Sequence, residues 1–145
     1  MSNTLPYCRS LLSGKTDITV AKTLGTNLGI SFQAGIKVGP FNLPGTTARE
    51  MLASPLNPNG LPNSDVVRGF VNSLDIVRRP RDVWIIDFGV GTPIDVAALY
   101  EAPFEYVRQH VHPVRAENRD RVFRERWWLH GRPRVDMRSA LRPLR

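Results

Sequence analysis

The stretch that most limits what this chain can fold into is VWIIDFGVGTP, Val83 to Pro93, because it joins two kinds of pattern. Val83 to Ile86 is an apolar run of strand length. Gly89 and Gly91 then turn the backbone, Thr92 is of a capping type, Pro93 suits a first helical position and Asp95 favours a first turn. Upstream the chain alternates or punctuates at short intervals. Downstream its apolar residues recur at helical spacing. The order, strands and then helices, predicts an α+β domain with a small mixed sheet in the N-terminal half followed by several helices.

The upstream part, residues 1–91, reads as extended and turn-rich. DITVAKTL (Asp17 to Leu24) and GISFQAGIKVG (Gly29 to Gly39) are β-type, the second alternating Ile30, Phe32, Ile36 and Val38 with smaller or polar neighbours. Thr47 three residues before Glu50 has the spacing of a capping box and predicts a short helix over Ala48 to Ala53. SPLNPNGLPNSD (Ser54 to Asp65) is a loop by its Pro, Asn and Gly content. Val66 to Val71 and Val83 to Ile86 are strand-like. In residues 92–145, Val96, Leu99, Tyr100, Phe104, Val107 and Val111 fall on one helical arc and are expected in the core. Pro103 should break or kink that run, since it lacks the amide a helix interior uses. A further helix is expected from Asn118 to His130, stopped by Gly131 and Pro133, and a last one begins in RVDMRSAL.

At 145 residues the chain is one domain's worth, with 41% hydrophobic residues for a core and no apolar run of membrane-spanning length. MSNTLPYCRSLLSGK has no apolar signal core, so a cytoplasmic protein is expected. The single cysteine, Cys8, makes no internal disulfide and lacks the companions of a zinc cluster. The formal net charge is +7, Lys is confined to positions 15, 22 and 37, and residues 101–145 hold eleven Arg against six acids. Arginine forks match phosphate and guanine edges, so this balance points to an anionic partner, nucleic acid first; a solvated basic face is the plain alternative.

Four segments imitate enzyme motifs. Gly14-Lys15-Thr16 ends like a phosphate-binding loop, but the required earlier glycine is Arg9. Asn57-Pro58-Asn59-Gly60 has the outline of a base-gripping Asn-Pro-Pro-aromatic motif, yet it has lost the second Pro and the ring and reads as a turn. His110 and His112 point apart on a helix and cannot share a metal with His130 unless Pro113 ends the helix first. Asp87 to Gly91 follows a strand as a cofactor loop does. A cofactor site also needs a second strand ending in an acid about 20 residues on, and here helix follows instead.

Taken together, Gly39-Pro40-Phe41, NPNGLPNSDVV (Asn57 to Val67), Asn72 with Asp75, WIIDFG (Trp84 to Gly89), YEAPFEYV (Tyr100 to Val107), VHPVRAENR (Val111 to Arg119), WWLH (Trp127 to His130) and RPRVDMRSAL (Arg132 to Leu141) resemble one family. They are similar to the DNA target-recognition region of large adenine-specific DNA methyltransferases, of the single-chain restriction–methylation (type IIG/IIL) and bacteriophage-exclusion kinds. The likeness runs from about Leu12 onward. Phe70 and Ser73 stand where the family usually has Trp and Gly, and Ala34 where it often has Gly. The resemblance implies a single, truncated target-recognition domain over residues 1–145, sequence-specific for double-stranded DNA. It also implies a separate methyltransferase catalytic domain or subunit as partner. S-adenosylmethionine belongs to the parent enzyme, and no cofactor, metal or catalytic residue is expected in this piece.

The candidate DNA-contacting residues are Asn72, Arg78, Arg79 and Arg81 in and before the RRPR loop, Arg115 and Arg119, Arg121, Arg124 and Trp128 on one side of the expected helix, and Arg132 and Arg134. On that helix Val122, Phe123 and Trp127 would face the core. Asn72 is a residue type that reads adenine edges, and equally one that closes turns, as is Asp75. Asp87 is expected to be a structural acid paired with an arginine. The alternatives carried forward are a self-contained S-adenosylmethionine enzyme using Asp87 to Gly91, and a structural piece that docks on a catalytic subunit.

Overall fold

The computed structural model describes residues 22 and 24–144, and Cys8, the Gly14-Lys15-Thr16 segment and most of DITVAKTL lie outside them. The chain divides into two units, residues 1–32 and 33–145. Of the first, the described part includes one 3-10 turn, Gly25–Asn27, between the two segments expected to be β-type; Ile30, in the second of them, lies in no strand and is 77% exposed.

Among the described residues the second unit has three strands, β1 (Asn42–Pro44), β2 (Val67–Gly69) and β3 (Val83–Ile86), in the order β1-β3-β2. Both pairings are antiparallel, with Leu43 opposite Trp84 and Val67 opposite Ile86. The α+β class is as expected, and the sheet is antiparallel throughout. VWII is the middle strand, paired with β1 on one side and β2 on the other. Side chains alternate across a strand. Leu43, Trp84, Ile86 and Val67 therefore share the core face, while Asn42, Ile85 and Arg68 share the other.

Seven helices are described: α1 (Gly45–Ala53), α2 (Ser73–Val77), α3 (Ile94–Ala98), α4 (Glu101–His110), α5 (His112–Ala116), α6 (Arg121–Glu125) and α7 (Val135–Leu141). α1 starts directly from β1 at Pro44, so Thr47 lies inside it and caps nothing. Ala48 and Met51 pack toward the sheet, and buried Asn63 ties the following loop to α1 by donating to the Met51 carbonyl at 2.8 Å. Gly89 and Gly91 take φ of +91° and +66°, values that explain why glycine stands at both bends of the turn after β3.

The helical run breaks earlier than Pro103. α3 ends at Ala98, Tyr100 is non-helical, and Pro103 sits in the first turn of α4, where its missing amide is harmless. The break resets the helical phase: Tyr100, Val107 and Val111 are buried, whereas Val96 and Leu99 are 42% and 40% exposed. The helix expected over Asn118 to His130 is only five residues long. Asp120 caps it, accepting from the Val122 amide at 2.9 Å, and Arg126 leaves helical geometry after it. Trp127, Trp128 and Leu129 therefore lie on a turn, and Trp127 packs on Phe104 with ring centroids 5.3 Å apart. No helix among the described residues is long and apolar enough to cross a membrane.

Candidate functional site

The outer face of the sheet brings a cation and an aromatic ring together. Lys37, from the segment before β1, reaches across β3. Its Nζ donates to Asn42 Oδ1 on one side and sits 3.8 Å from the Phe70 ring centroid on the other. Phe70 extends β2, its amide donating to the Val83 carbonyl at 2.9 Å, and by alternation it shares the face of Arg68. Burial, and then the nearby Arg81 cation, push the Lys37 amine below its ordinary value. A pKa lowered partly by like charge marks a positive field that an anion would relieve.

At the end of this face the chain forms α2 and the turn back into β3. Asn72 Oδ1 accepts from the Leu74 amide at 2.9 Å, and the Asn72 amide donates to Asp75 Oδ2 at 3.0 Å, a reciprocal capping box. Arg81 forks onto Asp75 through Nε at 2.8 Å and Nη2 at 2.9 Å. Those bonds, the Arg81 side chain first and the Asn72 amide next, hold the Asp75 carboxyl well below the usual range. Asn72 Oδ1 and the Nε and Nη2 of Arg81 are thus engaged in framing the loop. Arg78 and Arg79 are exposed, and no acid pairs with either among the described residues. Beside this turn an open groove of about 530 Å³ runs between Asn42–Thr46 and Arg81–Val83.

The remaining candidates separate. Arg115 is 1% exposed and cannot reach DNA. It donates to the carbonyls of Val38 (2.8 Å), Lys37 (2.6 Å) and Arg126 (3.2 Å), lies between the Phe41 and Phe123 rings, and is pushed by burial down to about 10. Trp128 is half-buried, and its indole N–H donates to the Thr92 carbonyl at 2.8 Å, so it is not the exposed indole of the expected helix. Val122, expected in the core, is 54% exposed. Arg121 pairs with Glu125 at 2.6 Å, and Arg124 donates to the Asn118 and Arg119 carbonyls at the start of α6. Arg119 is exposed. Arg132 is exposed too, with its backbone bridged to Ile36; Arg134 is half-buried in a left-handed backbone and donates to Gln33. No hydrogen bond or ion pair among the described residues joins the α6 arginines to the Arg78–Arg81 turn.

Asp87 is a structural acid. Oδ1 accepts from the Gly89 amide at 3.0 Å, and Oδ2 pairs with Arg138 of α7 at 2.6 Å. His130 Nε2 donates to the Ile86 carbonyl at 2.9 Å, which leaves Nδ1 facing Asp87 Oδ1 at 3.8 Å. Burial lowers the His130 pKa against the pull of Asp87. Burial opposes ionisation of Asp87, but His130, Arg138 and the Gly89 amide together keep its pKa below the ordinary value. No strand follows β3 among the described residues. His110 stacks on Tyr106 and His112 lies against Trp127; among the described residues no group of three metal-ligating side chains exists.

The aromatic–cationic sheet face was missed by sequence reasoning, although Lys37 and Phe70 alternate with apolar neighbours in strand-like runs. Their meeting depends on strand order, which no local pattern carries. Comparison with protein-family models, curated proteins and solved structures finds no match for this chain.

Proposed function

We propose that the chain binds duplex DNA as the target-recognition part of an adenine-specific DNA methyltransferase, with methyl transfer performed by a separate catalytic domain or subunit. The observation that carries the DNA-binding part is the exposed, acid-free pair Arg78 and Arg79 at the edge of the Lys37–Phe70 face. Guanidinium groups without internal partners gain most from phosphate, because nothing must be broken to release them. The methyltransferase context rests on the resemblance of the ordered segments from Gly39 to Leu141.

Fluorescence anisotropy with a mixed-sequence duplex across a salt series tests the reading. Affinity should fall steeply with salt, and the double change Arg78→Ala, Arg79→Ala should reduce the slope of log K against log salt by about 2. Arg81 is left intact in this test, since removing it would also loosen α2. Salt-independent or absent binding by a folded sample refutes the reading.

A further inference from the structure

Helix α2 buries none of its five residues, yet it is firmly held. So short a helix does not persist in water by itself. Its first turn is closed by the Asn72–Asp75 box, and Arg81 clamps the same carboxylate with its side chain and with its own amide at 3.2 Å. These locks are polar, whereas what they present is apolar. Ile76 is 78% exposed, Val77 75%, Val71 70% and Leu74 44%. Arg78 and Arg79 follow immediately.

Exposed apolar side chains on a hydrogen-bonded turn, followed by guanidinium groups with no acid partner among the described residues, fit a partner that offers apolar surface bordered by anions. The minor groove of duplex DNA offers such a surface, with sugar walls and base steps that apolar side chains wedge between, bordered by two rows of phosphate. An apolar cleft on a protein would match the four hydrophobic side chains but would need acids added for both arginines. We propose that α2 is the element that enters a DNA groove, Ile76 and Val77 packing on sugars and base edges while Arg78 and Arg79 hold the flanking phosphates. This rests on the DNA-binding reading above and assigns its contact element.

The test compares the full chain with the double variant Ile76→Ser, Val77→Ser, using a fluorescein-labelled mixed-sequence duplex at several salt concentrations. Both side chains are exposed, so the circular dichroism melt should be unchanged. Affinity should drop about tenfold at every salt concentration with the slope preserved, since the lost contribution is apolar burial and not ion release. Wild-type affinity in the variant overturns the assignment of α2 while the DNA reading stands. Unchanged DNA binding together with loss of self-association also overturns it, and gives the face to a second protein surface. Failure of the unaltered chain to bind DNA removes the underlying reading instead.

Discussion

Arg115 is a buried cation that joins three segments of the chain. Its guanidinium donates to three main-chain carbonyls from segments 77, 78 and 11 residues away, and no acid pairs with it among the described residues. Burying a cation in this way is tolerated because each of its three nitrogens donates to a carbonyl and its guanidinium lies over two aromatic rings. Arg115→Ala would take the side-chain donor from the Val38 carbonyl, leave the Lys37 and Arg126 carbonyls with only their backbone donors, Gly131 and Leu129, and open a cavity, costing about 3 kcal/mol. Arg115→Lys keeps the charge but not the fork, and should recover only part of that loss. Urea unfolding of the two variants measures both. A DNA-contact role would predict the opposite pattern, normal stability with weaker binding. Nothing local distinguishes Arg115 from the exposed Arg119, because the carbonyls that claim it lie on the far side of the sheet sequence.

Among the elements, β3 was the most legible, because four consecutive apolar residues bounded by Asp82 and Asp87 permit little else. The turn after it was legible for a similar reason: glycine tolerates the positive φ that both bends require. The helices were harder to place. Periodicity from Asn118 to His130 is real in sequence, but Arg126 leaves helical geometry and three aromatic and apolar residues swing onto a turn. Tertiary bonds, such as Trp128 to Thr92, outweigh helical propensity over so short a segment. At α2 Asn72 is the N-cap, its Oδ1 accepting from the Leu74 amide. Asn72→Ala should destabilise the domain by about 1 kcal/mol. It should also weaken DNA binding modestly without changing the salt slope, because α2 would be less firmly held. A chemical denaturation curve and the anisotropy assay read these two effects separately.

On the scale of the whole molecule, the C-terminal helix is tied to the sheet through one buried junction. Asp87 at the end of β3 joins Arg138 of α7, and His130 stands between that carboxylate and the Ile86 carbonyl. His130 also meets the Phe41 ring edge-on at 4.7 Å, so the junction is continuous with the core. Its titration sets an acid limit on stability. The folded-state pKa of His130 is below the ordinary 6.5, so below that pH the unfolded chain takes up a proton that the folded chain resists. Stability from this group is therefore complete above about 6.5 and is lost as pH falls toward the folded pKa. Asp87 acts in the same direction lower down: its folded pKa lies below 3.8, and its contribution disappears as pH falls through that range. Thermal melts of the full chain should move to lower temperature between pH 7.5 and 5.5. The variant His130→Gln, which keeps a donor for the Ile86 carbonyl but has no proton to gain, should be less stable at pH 7.5 and flatter across the same interval. A wild-type slope in that variant would assign the acid sensitivity to groups outside the Asp87–His130–Arg138 junction.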